Sequence, residues 1–225
     1  MIKTRFTMRL VCVSLLLLSS SSQASVIKLD YSLFFNYMKT MYKLDYQHVT
    51  TAFYLVDNST QKQCHINQVD MVVDDRIEPI LFQAPGRLLP FYSDQHRKDG
   101  GVLLVDIDDN LPTGSCNLQI KIMAKESELS NLDEDKLQLI DDQLEGVLNK
   151  NAGMVGKYFL PEFLGVTVKL SSDSNEAQLA VLRKDVTVTE NGELLLRPDE
   201  FHLIEKINDL NLTVTRISPW LSKSV

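Results

Sequence analysis

Residues 132–150 read LDEDKLQLIDDQLEGVLNK. Leu137, Ile140, Leu144, Val147 and Leu148 recur at helical spacing, which lays one apolar stripe along the segment. Asn131, followed three residues later by Glu134, predicts a capping box. Asp133, Glu134 and Asp135 fill the first turn, where the helix dipole favours negative charge. Lys150 closes the last turn and Gly153 offers a stop. Strand-like segments lie on either side of this helix. The expected fold is α+β and β-rich. It has two similar helix-plus-antiparallel-sheet modules, 25–125 and 126–225, separated by the long amphipathic helix that opens the second.

The first 24 residues have a different character. Lys3, Arg5 and Arg9 form a basic region, residues 10–18 are apolar, and Ser22-Gln23-Ala24 is a small-residue cleavage site. This pattern predicts a signal peptide cut after Ala24, with Ser25 opening an exported mature chain. The apolar run is too short to span a bilayer, and no later run is long enough, so the expected mature chain has no transmembrane segment. Cys12 sits inside the apolar run behind Val11, where a lipoprotein signal would carry a small residue. Without Lys3, Arg5 and Arg9, 20 Lys+Arg remain against 30 Asp+Glu, a net charge of −10. That balance disfavours nucleic acid and anionic membrane surfaces as partners.

Export leaves Cys64 and Cys116, and two cysteines in an oxidising compartment predict one disulfide. Cys116, Leu118, Ile120 and Ile122 share one face of an alternating strand, and Cys64 shares a face with Ile66. Both thiols are then expected to point into one core.

Earlier in the chain, Asp30 is the expected cap of a helix over 31–43, with Phe34, Tyr37, Met38, Met41 and Tyr42 as its stripe. Strands are expected over 46–56, returning over 62–66 after the Asn58-Ser59-Thr60-Gln61 turn. A change of parity predicts a bulge near Asn67. Further strands are expected at 69–73, 80–82, 102–107 and 116–123, with 102–107 apolar enough for a central position. After the middle helix, 166–170 alternates as a half-buried strand and 178–182 follows. Asn191-Gly192 predicts a type I′ hairpin between 186–189 and 194–196. A short helix over 199–207 and a strand over 212–215 complete the series.

Gly86-Arg87-Leu88-Leu89-Pro90 echoes Gly192-Glu193-Leu194-Leu195-Leu196-Arg197-Pro198. Each is followed by a polar stretch with a histidine and then an apolar strand, an order that suggests duplication of a module. The segments Leu29-Asp30-Tyr31-Ser32-Leu33-Phe34, Phe53-Tyr54-Leu55, Cys64-His65-Ile66 and Gly86-Arg87-Leu88-Leu89-Pro90-Phe91 resemble a family of exported Gram-negative bacterial proteins known only as a domain of unknown function. The resemblance implies a periplasmic setting. It carries no activity and no functional residues.

Motifs with chemistry are sparse. Asp106-x-Asp108-x-Asn110 opens like a calcium loop, but Leu111 stands where glycine is needed and Asn117 where a bidentate glutamate is needed. As metal ligands, Asp106, Asp108 and Asn110 amount to no more than a weak, irregular site at a strand end. No H-E-x-x-H, nucleophile elbow or phosphate loop occurs. Asp74-Asp75 and Asp141-Asp142 are adjacent pairs whose side chains diverge. No cofactor is expected. The favoured reading is a non-catalytic periplasmic module that binds a protein or an envelope component through sheet edges or loops. The alternative is a hydrolase whose site is assembled from loops around Asp106, Asp108, His96 and His202.

Overall fold

A computed structural model of the chain describes residues 25–108, 114–173 and 176–222. The signal pattern of 1–24 and Asn110 of the calcium-like loop lie outside these residues. The first half runs β1 (Ser25–Asp30), α1 (Ser32–Leu44), β2 (Val49–Asp57), β3 (Ile66–Val73), β4 (Arg76–Pro79), β5 (Phe82–Gln83), β6 (Arg87–Leu88), α2 (Asp94–Lys98), β7 (Val102–Ile107) and β8 (Cys116–Ala124). The second runs α3 (Glu134–Gly156), β9 (Phe163–Leu170), α4 (Glu176–Leu182), β10 (Thr187–Val188), β11 (Leu194–Leu196), α5 (Leu203–Asp209) and β12 (Val214–Leu221).

Among the described residues the strands form three antiparallel four-stranded sheets, ordered β1-β7-β3-β4, β5-β6-β2-β8 and β10-β11-β9-β12. The architecture is therefore mixed α+β, as the alternation of periods predicts. The apolar run 102–107 takes an inner place, between β1 and β3. The bulge expected near Asn67 is the register shift between Ile66 and Gln68.

Two apolar cores result. The first gathers Phe34 and Phe35 of α1, Phe53 and Leu55 of β2, Met71 of β3, and Leu103, Val105 and Ile107 of β7. Cys64 and Cys116 are buried in it and joined by a disulfide, with Cα atoms 6.4 Å apart, within ordinary bridging distance. The second gathers Leu137, Ile140, Leu144 and Val147 of α3 against Val166, Val168, Ile204, Ile207 and Ile217. Val49, where β2 starts, and Ala124, where β8 ends, also enter the second core, so this strand pair reaches both.

Several local expectations are corrected. Asp133, and not Asn131, caps α3, accepting the Lys136 N–H at 2.8 Å on Oδ1. Asn131 instead holds a left-handed turn, φ 53°. At α1 the cap position belongs to Tyr31, without a side-chain bond, because residues up to Asp30 are drawn into β1 against β7. The stripe of α1 is correspondingly rotated: Tyr31, Phe34, Phe35 and Met38 are buried, while Tyr42 is 71% exposed. The return strand over 62–66 shrinks to a single bridge, Val56 to Gln63, before the chain leaves for the neighbouring sheet. At the β10–β11 hairpin only Gly192 has positive φ. Gly192 N–H bonds Thr189 C=O, and Thr189 N–H bonds Glu193 C=O. This is a three-residue loop with a left-handed glycine, and not the two-residue type I′ turn.

Candidate functional site

One opening in the fold follows from a single proline. In β2, Leu55 donates its N–H to Gly86 C=O and accepts from Cys64 N–H, so odd-numbered residues aim their backbone groups away from β8. β6 covers this edge at Phe53, opposite Leu88. The next outward-facing residue is Thr51, and the position that would oppose it is Pro90, which has no N–H to give. Pairing stops there, and the chain over Leu89-Pro90 turns away. Thr51 C=O keeps only a 3.5 Å contact from the hydroxyl of its neighbour Thr50.

A groove of about 250 Å³ occupies the space so left. Its floor is Thr50–Phe53, one wall is Met38 and Met41 of α1, and the other is Leu88–Pro90 with Tyr92. Tyr92 is held between Phe35 and Tyr42, with ring centroids 5.3 and 5.0 Å away. Two buried polar atoms at the groove have no partner, Thr51 Oγ1 and Arg87 Nε, although the Arg87 guanidinium also pairs with Glu126. Unsatisfied buried groups of this kind are uncommon and cost stability. Exposed Tyr42, Leu89 and Phe91 lie close by. The arrangement offers backbone hydrogen bonds, apolar walls and two waiting polar groups.

The residues proposed for hydrolysis are not brought together. His96 lies on α2, which leads into the start of β7, whereas Asp106 and Asp108 lie at its far end, about 17 Å along a strand of this length. His202 is exposed at the start of α5 in the other half. Asp106 has a buried Oδ1 without a partner, and Asp108 donates its N–H to His65 C=O. Among the described residues no group of three or more His, Cys, Asp or Glu side chains could hold a metal ion. His48 binds Glu128 at 2.9 Å, and that bond, more than any other contact, holds the Glu128 carboxyl below its ordinary range.

Two features escaped the sequence reading. Ser93 caps α2, accepting His96 N–H at 3.1 Å, and its Oγ is 2.6 Å from His96 Nδ1. Ser93 donates its own N–H to the hydroxyl of buried Tyr31, which donates in turn to Phe91 C=O, both at 2.7 Å. Glu78 Oε2 is 3.4 Å from His96 Nε2, out of line for a hydrogen bond. A serine followed at once by an aspartate in the first turn, Ser93-Asp94, is a helix-start signal that could have been found. The second feature is Asp141, buried on α3 with Oδ1 unpartnered. Burial, then the charges of Asp142 and Glu145, push its pKa up to about 7. Helical spacing already sets it on the apolar stripe, one turn from Leu137 and Leu144, and leaves exposed Asp142 off it.

A family model described as a protein of unknown function, DUF2987, matches residues 23–170. No curated protein and no solved structure matches the chain.

Proposed function

The chain belongs to the DUF2987 family, whose description assigns no activity, and from that premise we propose that it is a non-catalytic binding module that takes an extended peptide segment of a partner protein onto the open edge of β2. The observation that carries this reading is the unpaired edge at Thr51, left by Pro90 and floored into an apolar groove. An added strand would receive the outward backbone groups of Thr51, and its alternate side chains would enter between Met38, Met41 and Tyr92. The signal pattern of residues 1–24 supports export to the periplasm as the setting.

The test is selection of heptapeptides from a random display library on the protein, followed by calorimetry with the best peptide. N-methylation at alternate amides is expected to weaken binding by about tenfold or more, because those N–H groups join the ladder, while the intervening amides tolerate it. Leu89→Asp is expected to abolish binding. Equal tolerance of methylation at every amide, or no enrichment, sinks the reading.

A hydrolytic reading has one observation in its favour, the order Ser93, His96, Glu78. Against it, Ser93 Oγ is engaged as a helix cap and its N–H is taken by Tyr31, which leaves no oxyanion donor at that residue. Ester turnover that disappears in Ser93→Ala would displace the binding reading.

A further inference from the structure

β8 and β12 are each the last strand of their own sheet, and they run side by side without a ladder between them. A groove of about 320 Å³ follows this seam. Ile120, Lys121 and Ile122 are consecutive on β8 and all line it, so it reaches both faces of that strand. Tyr37 of α1 and Leu148 of α3 close the helix side, and Leu221 continues the apolar wall. The charged part of the lining is cationic, with Lys121 and Arg216 and no carboxylate, and Ser218 adds a hydroxyl.

The two cations differ. Arg216 is satisfied by Glu193, which accepts its hydrogen bond at 2.7 Å. Lys121 stands over the Tyr54 ring, 5.8 Å from its centroid, and no carboxylate among the described residues pairs with it. Burial, then the charges of Arg216 and Lys169, lower the Lys121 pKa against the weaker opposing pull of Glu193. Tyr37 also borders a second hollow of about 360 Å³, lined by Lys39, Lys43 and Lys150, again without a carboxylate. In a chain with net charge −7, this side carries a local excess of positive charge among the described residues.

We propose that the seam groove binds a fatty acid of about twelve carbons, its carboxylate on Lys121 and its chain along Ile120, Ile122, Leu148 and Leu221. One unpaired ammonium beside an already satisfied guanidinium matches a single negative charge. The apolar walls match an alkyl chain. This site is separate from the β2 edge and does not depend on the peptide reading.

The experiment titrates dodecanoate, dodecyl phosphate and dodecyltrimethylammonium, each below its micelle-forming concentration, into the full protein by calorimetry. Fluorescence of Trp220, the single tryptophan, gives a second readout from β12. Dodecanoate is expected to saturate one site, to weaken with added salt, and to outbind the cation. Lys121→Gln is expected to weaken it about tenfold, the loss of one charge-assisted hydrogen bond, while Lys121→Arg retains it. Leu89→Asp, at the other groove, is expected to leave it unchanged. The salt dependence is read on the unmodified protein, so the test survives misfolding of a variant. Absence of saturable dodecanoate binding, or equal binding by Lys121→Gln, overturns the proposal. Tighter binding of dodecyl phosphate would assign a phosphate head and overturn the carboxylate assignment.

Discussion

Asp141 lies on the buried face of α3 at 4% exposure, next to Asp142 and Glu145. Its carboxyl keeps a proton to about pH 7 in the folded chain, because burial and the two neighbouring charges oppose ionisation. In the unfolded chain the same group ionises near pH 4. The folded form therefore binds more protons between these values, and stability falls as pH rises from about 4 to 7. Asp141→Asn removes the ionisation while keeping the shape of the protonated acid. It should match the unmodified protein at pH 4 and exceed it by about 2–4 kcal/mol at pH 8. Denaturant unfolding at pH 4, 6 and 8 checks this; a constant difference across the range would mean that Asp141 does not titrate with folding. Asp57 shows the opposite environment. Its Oδ1 accepts from the Ser59 and Thr60 hydroxyls and N–H groups, led by the Ser59 hydroxyl, and its pKa falls to about 2. Two aspartates of one chain thus depart in opposite directions, one through burial beside like charges and one through an abundance of donors.

Among the elements, β2 and β8 are the spine, paired without a register shift from Val49–Ala124 to Asp57–Cys116. The Cys64–Cys116 disulfide fastens the start of β8 to the segment that enters β3, and so ties one sheet of the first half to the other. It closes a loop with a sequence separation of 52. For that length the loss of unfolded-chain entropy stabilises the fold by about 4 kcal/mol. Cys64→Ser and Cys116→Ser should each lower the melting temperature clearly, and the double variant should cost little more than either, since one bond is lost in all three. Additive single effects in thermal melts would contradict this account. The same spine explains the groove. β8 is paired along all of β2, whereas β6 is two residues long and stops at Leu88, so only one edge of β2 is left open.

On the scale of the whole molecule, the two cores differ in how they depend on distant chain. The buried residues of the first all lie between Leu29 and Cys116, with Ile27, Leu118 and Ile120 packed against them. In the second, β9 has both its partners, β11 and β12, beyond residue 170, and α3 packs on Ile204, Ile207 and Ile217, which also lie beyond it. The family match ends at residue 170, short of these partners. A fragment of residues 25–170 would expose Val166 and Val168, each losing about 1.5–3 kcal/mol of burial. It should therefore keep a folded, disulfide-bonded first half and lose order in 134–170. Amide exchange is expected to show protection over β2, β7 and β8 and rapid exchange through α3 and β9. Protection equal to the full chain along all of 25–170 would show that the second core forms without its covering strands.

The fold class, the long middle helix, the central place of 102–107, the bulge at Asn67 and the disulfide were legible in the sequence, because each rests on local periodicity or on the chemistry of two cysteines. The α1 stripe was legible in period but not in phase, since which face is buried depends on the sheets that meet it. The cap of α1 was misread because the preceding residues form a strand with β7, a partner far along the chain. Helical spacing sets Asp141 on the α3 stripe, one turn from Leu137 and Leu144, but does not say how deeply it is buried, and nothing in the sequence separates Lys121 from any alternating polar residue of a strand. Both acquire their character from neighbours that only folding assembles. The open edge at Thr51 has the same origin. Proline's missing N–H is written at position 90, but only the tertiary structure puts that absence opposite Thr51.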